Sequence, residues 1–272
     1  MIYRRGMMEI SSTSKLRLDL NAGVARVLID NASKRNAFDF EMWQALPILI
    51  QQLDAAQEVR VILISGAAGL PFCSGADISE FSSVRATSTG GRAYEAINVA
   101  AFNAISKASK PTIAVISGFC MGGGMGLAAA CDLRISDESA VFSIPAAKLG
   151  VGYPPEAMRY VVAAVGPQKA FELFYTARRL SAQEALGIGF LAQVYPKAQF
   201  EAVVLETAKK IAQNAPLTLR AAKAAIRMVA ALPQAPTLAE CEVLAASCFD
   251  STDYAEGRTA FLEKRSANFT GL

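Results

Sequence analysis

The sequence has no histidine among its 272 residues. This absence excludes hydrolysis by a serine–histidine–aspartate triad, cysteine–histidine catalysis and metal sites that depend on histidine. Acid–base chemistry must therefore come from Asp, Glu, Tyr, Lys or Cys side chains or from a bound water. We expect no metal site and no prosthetic group.

Cysteine is also scarce, and its five positions lack metal-ligand spacing. An odd number of cysteines cannot form a complete set of disulfides, and no apolar signal-peptide segment occurs near the N-terminus. These features predict a reduced, cytoplasmic protein. Residues 1–14 are predicted to form a flexible leader.

Long apolar runs are absent as well. A membrane-spanning helix needs about 18 or more consecutive apolar residues. The best candidates, Val59–Ile64 and Thr112–Ile116, are far shorter, and five glycines interrupt Gly118–Ala130. No membrane partner is therefore expected. The hydrophobic fraction is still 53% and the mean hydropathy +0.29, which we attribute to a large core and to contacts between subunits.

Neither sign of charge dominates. There are 27 basic and 24 acidic residues, which gives a net charge of +3. This balance argues against a nucleic-acid partner. The small positive excess is compatible with a phosphate-bearing ligand but does not require one.

The apolar pattern predicts an α/β fold. Leu16–Leu20 alternates with period two, Asn21–Gly23 is a turn signal, and Val24–Ile29 completes a hairpin. Continuous apolar strands then alternate with helices, which is typical of a parallel sheet covered on both faces. The predicted elements are strands at Val59–Ile64, Thr112–Ile116 and Leu133–Ser136 and helices at Phe40–Gln57, Gly91–Ala108 and Gly124–Cys131.

From Glu156 onward the pattern is almost wholly helical. The α/β core is therefore assigned to residues 15–195 and a C-terminal helical region to residues 196–272. Alanine-rich helices with few charges favour packing against other chains. The predicted helices are Ala170–Thr176, Ser181–Leu186, Phe200–Asn214, Leu217–Ala231 and Thr237–Ser247.

A glycine cluster, Gly122–Gly126, follows a strand and opens a helix. Close backbone packing is one explanation. A dinucleotide site is another, since Gly124–Ala129 fits G-x-G-x-x-A, but residues 139–155 contain no acidic residue for the ribose. A phosphate-binding P-loop is excluded because no Lys-Ser/Thr pair follows the glycines.

An oxyanion site is the third explanation. N–H groups at a helix N-terminus lack intrahelical acceptors and lie at the positive end of the helix dipole. A second loop, Cys73–Asp77, follows the preceding buried strand and offers another N–H group. Two such donors polarise a carbonyl and stabilise an enolate, and one donor contributes about 2.7–4 kcal/mol.

Six segments resemble the defining blocks of the crotonase, or enoyl-CoA hydratase/isomerase, superfamily. They occur in the family's order over nearly the whole chain. These segments are Lys34–Ala37, Phe72–Ile78, Ile116–Gly124, Ala130–Arg134, Ser181–Ala185 and Glu256–Arg265. The resemblance implies a spiral of ββα units, a homotrimer or dimer of trimers in which the C-terminal helices take part, and an acyl-CoA substrate that brings its own coenzyme A.

The resemblance also implies which residues hold this ligand. The N–H groups of Ala76 and Gly123 would form the oxyanion hole, and Glu80 and Phe81 would line the acyl or pantetheine path. Lys264 is alternatively a solvated helix end. The residues implied to contact coenzyme A are Arg35, Asn36, Ala37, Ala76, Asp77, Ile78, Ser79, Phe261 and Lys264.

The chain departs from the family's hydratases at both positions where they carry a catalytic glutamate. The first of these positions holds Gly126, and the second, which follows Pro145, holds Ala146. Neither side chain transfers protons, whereas one positioned acid or base contributes roughly 10²–10⁴ in rate. Ordinary syn hydration is therefore not expected.

Tyr153 and Glu156 are the remaining acid–base candidates. Tyr153 falls where the methylmalonyl-CoA decarboxylase branch of the superfamily has a similar tyrosine, and a phenol there would orient a carboxylate or protonate an enolate. The alternative is a tyrosine without a catalytic role. Glu156 either replaces the missing glutamates or only favours the dipole of its helix.

Two functional hypotheses follow. In the first, the chain is an acyl-CoA enzyme whose reaction needs little acid–base help, such as decarboxylation, because loss of carbon dioxide itself forms the enolate. In the second, it is a non-catalytic acyl-CoA binding subunit. Among the other residues, Asp77 is expected to brace its loop, Asp132 to cap a turn and Cys120 to lie in the core.

Overall fold

The computed structural model describes residues 13–84 and 87–272. The predicted leader, residues 1–14, therefore lies outside the described residues except for its last two positions. Within the described ranges, no helix is both long and apolar enough to cross a membrane.

Two sheets hold the strands within the described ranges. The strands are β1 (Leu16–Asn21), β2 (Val24–Ile29), β3 (Val61–Gly66), β4 (Thr112–Ile116), β5 (Phe119–Met121), β6 (Leu133–Asp137), β7 (Val141–Ser143), β8 (Leu180–Ser181) and β9 (Gln193–Tyr195). The main sheet has the order β1-β2-β3-β4-β6-β9, and a smaller sheet has the order β5-β7-β8.

Helices connect the strands and then form the C-terminal part of the chain. They are α1 (Phe40–Ala55), α2 (Phe81–Val84), α3 (Ser88–Lys107), α4 (Gly123–Ala130), α5 (Ala146–Leu149), α6 (Pro155–Thr176), α7 (Ala182–Gly187), α8 (Lys197–Ala212), α9 (Pro216–Val229), α10 (Leu238–Phe249) and α11 (Thr252–Glu263). The predicted helical C-terminal region therefore corresponds to α8–α11.

The N-terminal hairpin is confirmed. β1 and β2 pair antiparallel, and the two residues between them, Ala22 and Gly23, have φ angles of 48° and 79°. Two left-handed residues give a turn whose twist matches that of the flanking strands. The other neighbouring strands of the main sheet pair in parallel.

Helices cover both faces of the main sheet, as predicted. Val61 and Leu63 on β3 lie in one buried cluster with Phe200 of α8. Ile62 and Ile64 point to the opposite face and join the larger core, which includes α1, α3 and α4. Successive residues of a strand face opposite sides, so a strand buried on both sides is apolar throughout.

The structure adds elements that the apolar pattern did not predict. β5 and β7 have three residues each, so the chain from Ser117 to Met121 includes a short strand directly before the glycines. α6 was predicted only from Ala170, because Gly166, at a φ of 74°, and Pro167 interrupt its helical pattern. α11 was also missed.

Candidate active site

The loop that contains Ala76 is fixed by backbone pairing. Phe38 donates its N–H to the carbonyl of Gly75 at 2.8 Å and accepts from the N–H of Asp77 at 2.8 Å. Consecutive N–H groups of an extended segment point to opposite sides, so the N–H of Ala76 faces away from Phe38. Gly75 has a φ of 107°, which only glycine adopts readily.

A second loop is locked against the first. Cys73 donates to the Phe119 carbonyl at 2.8 Å, and Met121 donates to the Cys73 carbonyl at 2.9 Å. Gly122 then turns the chain from β5 into α4 with a φ of 50° and a ψ of −116°. Gly123 is the first residue of this helix, so its N–H has no intrahelical acceptor.

These two loops present free backbone donors. Within residues 13–84 and 87–272, the N–H groups of Ala76 and Gly123 donate to no protein acceptor. Both residues line one cavity of about 70 Å³, the small cavity. The structure thus brings the two predicted oxyanion residues together.

Apolar side chains form most of the small cavity. A larger cleft of about 940 Å³, the outer cleft, adjoins it and shares four of its lining residues: Phe81, Glu95, Val151 and Tyr153. Further apolar residues around the small cavity are Ile78, Phe102, Leu149 and Ala157. The small cavity therefore offers a largely apolar surface.

Tyr153 reaches the backbone beside Gly123. A methyl group placed on the Cα of Gly122 would lie 3.3 Å from the Tyr153 hydroxyl oxygen. The ring of Tyr153 packs edge-on against Phe174, with 5.4 Å between the ring centroids. The phenol is thus a hydrogen-bonding group at the edge of the predicted oxyanion hole.

Glu156 lies farther out. Its side chain is exposed in the first turn of α6 and lines the outer cleft, whereas the small cavity does not include it among the described residues. Tyr153 therefore lines both cavities, whereas Glu156 lines only the outer cleft.

The space beside Gly126 is filled by Phe102. A Cβ atom on Gly126 would lie 2.5 Å from the Cζ atom of Phe102, so any larger side chain requires the ring to move. Phe102 is held edge-on between Trp43 and Tyr160, at 5.9 Å from each ring. Ala146, at the other predicted glutamate position, opens α5 and lines the small cavity.

Helix α3 contributes two polar residues that no sequence motif marks. Glu95 and Asn98 line the small cavity, and Glu95 is the only carboxylate to do so among the residues described. Asn98 is 7% exposed, and its Oδ1 has no hydrogen-bond partner within the described part of the chain. In the sequence, Asn98 is the one polar residue in a helical stripe that is otherwise made of Tyr94, Ala101 and Phe102. This pattern is the signal that could have indicated a site on α3.

Asp77 braces its loop, as predicted. Its Oδ1 accepts from the N–H of Ser79 at 2.9 Å and from the Ser79 hydroxyl at 2.7 Å, and Lys34 Nζ lies 3.4 Å from Oδ2. Burial alone would raise the pKa of Asp77, but the Ser79 bonds and the Lys34 charge outweigh it and lower the pKa. The carboxylate therefore stays ionised and tied to its own turn.

The cysteines near the site are inert thiols. Burial raises the pKa of Cys73 to about 12 and that of Cys120 well above its ordinary value. A thiol with such a pKa carries almost no nucleophilic thiolate at neutral pH. Cys120 lies in the core, as expected. Asp132 is also structural, since its Oδ2 accepts from the N–H of Thr112 at 2.8 Å and pairs with Lys223.

The predicted coenzyme A residues at 35–37 differ in their surroundings. Arg35 is exposed. Asn36 is fully buried, and its side chain accepts from the Asn31 N–H at 2.8 Å and donates to the Pro71 carbonyl at 2.6 Å. Ala37 is buried as well. Of the three, only the Arg35 side chain is open to a ligand.

Of the other residues predicted at the site, some line the two cavities and some do not. Ile78 lines the small cavity, and Phe81 lines both cavities. Glu80 instead accepts from the N–H of Phe40 at the start of α1, and burial raises its pKa. Phe261 on α11 is 84% exposed, and Lys264 directly follows this helix. As far as the described residues define the small cavity and the outer cleft, neither residue lines them.

The sequence matches known proteins over nearly all its length. Residues 19–271 match the family model of enoyl-CoA hydratase/isomerase. The short-chain-enoyl-CoA hydratase of Clostridium acetobutylicum is 30% identical over 248 residues, which cover 91% of this chain and 94% of that protein. A peroxisomal Δ(3,5)-Δ(2,4)-dienoyl-CoA isomerase of Arabidopsis thaliana is 33% identical over 222 residues, 78% of this chain and 80% of that one.

A solved structure agrees with these relatives. An enoyl-CoA hydratase/carnithine racemase from Magnetospirillum magneticum superposes with a TM-score of 0.91 at 31% identity, and the match covers 97% of this chain and 98% of that one. Sequence and fold therefore lead to one conclusion. The chain belongs to the enoyl-CoA hydratase/isomerase family of the crotonase superfamily.

Proposed function

We propose that the protein binds a short acyl-CoA with the thioester oxygen between the N–H groups of Ala76 and Gly123. The observation that carries this proposal is that two backbone donors without protein acceptors line the same small cavity. Donors fixed before the reaction stabilise the negative charge that develops on the thioester oxygen. Coenzyme A enters as part of the substrate.

The reaction we propose forms a thioester enolate without the two-glutamate hydration mechanism. Gly126 and Ala146 cannot activate water, and Phe102 occupies the space beside Gly126. Decarboxylation meets this restriction because cleavage of the bond to the carboxylate leaves its electron pair in the enolate. The Tyr153 hydroxyl, close to Gly122, is a donor that would orient the departing carboxylate.

The test is product analysis by mass spectrometry with two substrates. Purified protein is incubated with crotonyl-CoA and, separately, with methylmalonyl-CoA, with buffer and an active hydratase as controls. We expect no gain of water by crotonyl-CoA above the buffer rate and loss of carbon dioxide from methylmalonyl-CoA.

Rapid hydration of crotonyl-CoA would contradict the proposed reaction. If neither substrate reacts, titration with butyryl-CoA decides whether acyl-CoA binding survives. Binding without turnover of any thioester would instead support a non-catalytic acyl-CoA binding subunit.

A further inference from the structure

Helix α3 brings a carboxylate to the small cavity, whereas the resemblance to the family's hydratases implies carboxylates at positions 126 and 146, on α4 and α5. Glu95 is half-buried and lines both the small cavity and the outer cleft. Among the described residues, no other carboxylate lines the small cavity with Ala76 and Gly123. Proton transfer at a bound acyl group requires a group of this kind within reach.

We propose that Glu95 is the proton-transfer residue of this site. The inference rests on the proposed function, because it assumes that the thioester oxygen lies at Ala76 and Gly123. Glu95 would then take the part of the carboxylates absent at Gly126 and Ala146, from a different helix.

The packing of α3 supports this assignment. Thr87 caps the helix by accepting from the N–H of Gly90 at 3.1 Å. Tyr94 and Phe102 on the same helix are buried, which fixes the rotation of α3 about its axis. Glu95, Asn98 and Phe102 are spaced by three and four residues, so they share one face of the helix. Phe102, which fills the space beside Gly126, therefore lies on the same face of α3 as Glu95.

Asn98 indicates that this face meets a ligand. An unpaired buried polar atom costs about 1–3 kcal/mol, so most such groups have partners in folded proteins. The carboxamide of Asn98 lines the small cavity one turn from Glu95, and its Oδ1 has no partner within residues 13–84 and 87–272. A polar group on the substrate or a bound water would complete its hydrogen bonding.

The proposed step is a balanced proton transfer. The C–H bond next to the thioester carbonyl breaks, the proton moves to the Glu95 carboxylate, and the electron pair forms an enolate whose oxygen is held by Ala76 and Gly123. Return of a proton from Glu95 to the same carbon restores the thioester. After decarboxylation, the protonated form of Glu95 supplies this proton to the enolate.

The experiment measures deuterium uptake by butyryl-CoA in heavy water. Wild type, Glu95→Gln, Glu95→Asp, Glu156→Gln and the control Glu242→Gln, an exposed position on α10, are compared by mass spectrometry. Butyryl-CoA binding is titrated for each. We expect Glu95→Gln to exchange at least about 100-fold more slowly than wild type. Glu95→Asp should recover part of the rate, and Glu242→Gln should equal wild type.

Butyryl-CoA binding and deuterium exchange together distinguish failure of the proposed function from failure of the assignment to Glu95. Absence of butyryl-CoA binding by the wild type would overturn the proposed function and the assignment together. Binding with unchanged exchange in Glu95→Gln would overturn the assignment to Glu95 alone. Loss of exchange in Glu156→Gln but not in Glu95→Gln would assign the proton transfer to the outer cleft and also contradict the assignment to Glu95.

Discussion

At Gly126, the packing leaves no room for a glutamate side chain. The Phe102 ring would lie 2.5 Å from a new Cβ atom and is itself held between two aromatic rings. A hydratase-like carboxylate therefore needs two changes, one to supply the acid and one to make room.

We predict that Gly126→Glu lowers the free energy of unfolding by about 1–3 kcal/mol, because overpacking a core displaces its neighbours. The double variant with Phe102→Ala should lose less free energy of unfolding than the sum of the two single variants, since the two residues touch. Urea denaturation of the wild type, both single variants and the double variant measures the coupling. Strictly additive effects would mean that Phe102 does not limit the space at Gly126.

The sequence reveals residue identities but not every residue's surroundings. Gly126 and Ala146 are predicted to replace glutamates because recognisable motifs flank both positions. Asn36 lies in a recognisable motif, yet its side chain is bonded within the fold. Glu95 and Asn98 carry no motif, and only the docking of α3 places them at the cavity.

At the scale of the structural element, the loop that carries Ala76 is stabilised by the Asp77 cap. Asp77 accepts from Ser79 and lies near Lys34, and its pKa is lowered from the ordinary 3.8. A carboxylate with a lowered folded-state pKa contributes stability above its unfolded pKa and loses that contribution as pH falls through the folded pKa.

We predict that Asp77→Ala lowers the free energy of unfolding by about 1 kcal/mol at pH 7, as expected for the loss of a capping side chain. The difference from wild type should shrink as pH falls below the ordinary pKa of 3.8 towards the lower folded-state pKa, because the unfolded carboxyl binds the proton first. Denaturation at pH 7 and pH 3 provides the comparison. An equal difference at both values would exclude a contribution from the charge.

The elements themselves were predictable to different degrees. Long periodic segments such as α1, α8 and α9 were predicted close to their observed bounds. Three-residue strands contain too few residues for a period, so β5, which directs the chain into Gly122, could not be recognised from its sequence. The hairpin was predictable because its turn residues act locally.

At the scale of the whole molecule, the C-terminal helices leave apolar side chains uncovered. Val229, Val243 and Phe261 are 80%, 70% and 84% exposed in the isolated chain. Exposed apolar residues that recur on successive helices are typical of a subunit interface. The resemblance to crotonases implies that this interface joins three chains or two sets of three.

We therefore predict a solution mass of about three or six times the chain mass of 28.8 kDa. Light scattering after size-exclusion chromatography measures it across a range of protein concentrations. A single species at the mass of one chain, at micromolar concentration, would contradict the predicted assembly and leave the exposed residues on α9–α11 without a partner.

Acetoacetyl-CoA tests most directly whether the two backbone donors stabilise an enolate, because its enolate absorbs ultraviolet light. The apparent pKa of the bound ligand is obtained from its spectrum for the wild type and for Ala76→Pro, which lacks one N–H. We predict an enolate band in the wild type and a ligand pKa about 2 units higher in the variant, the equivalent of one oxyanion donor. Tight binding of acetoacetyl-CoA without an enolate band in the wild type, or with the same ligand pKa in both proteins, would contradict stabilisation of the enolate by the two donors.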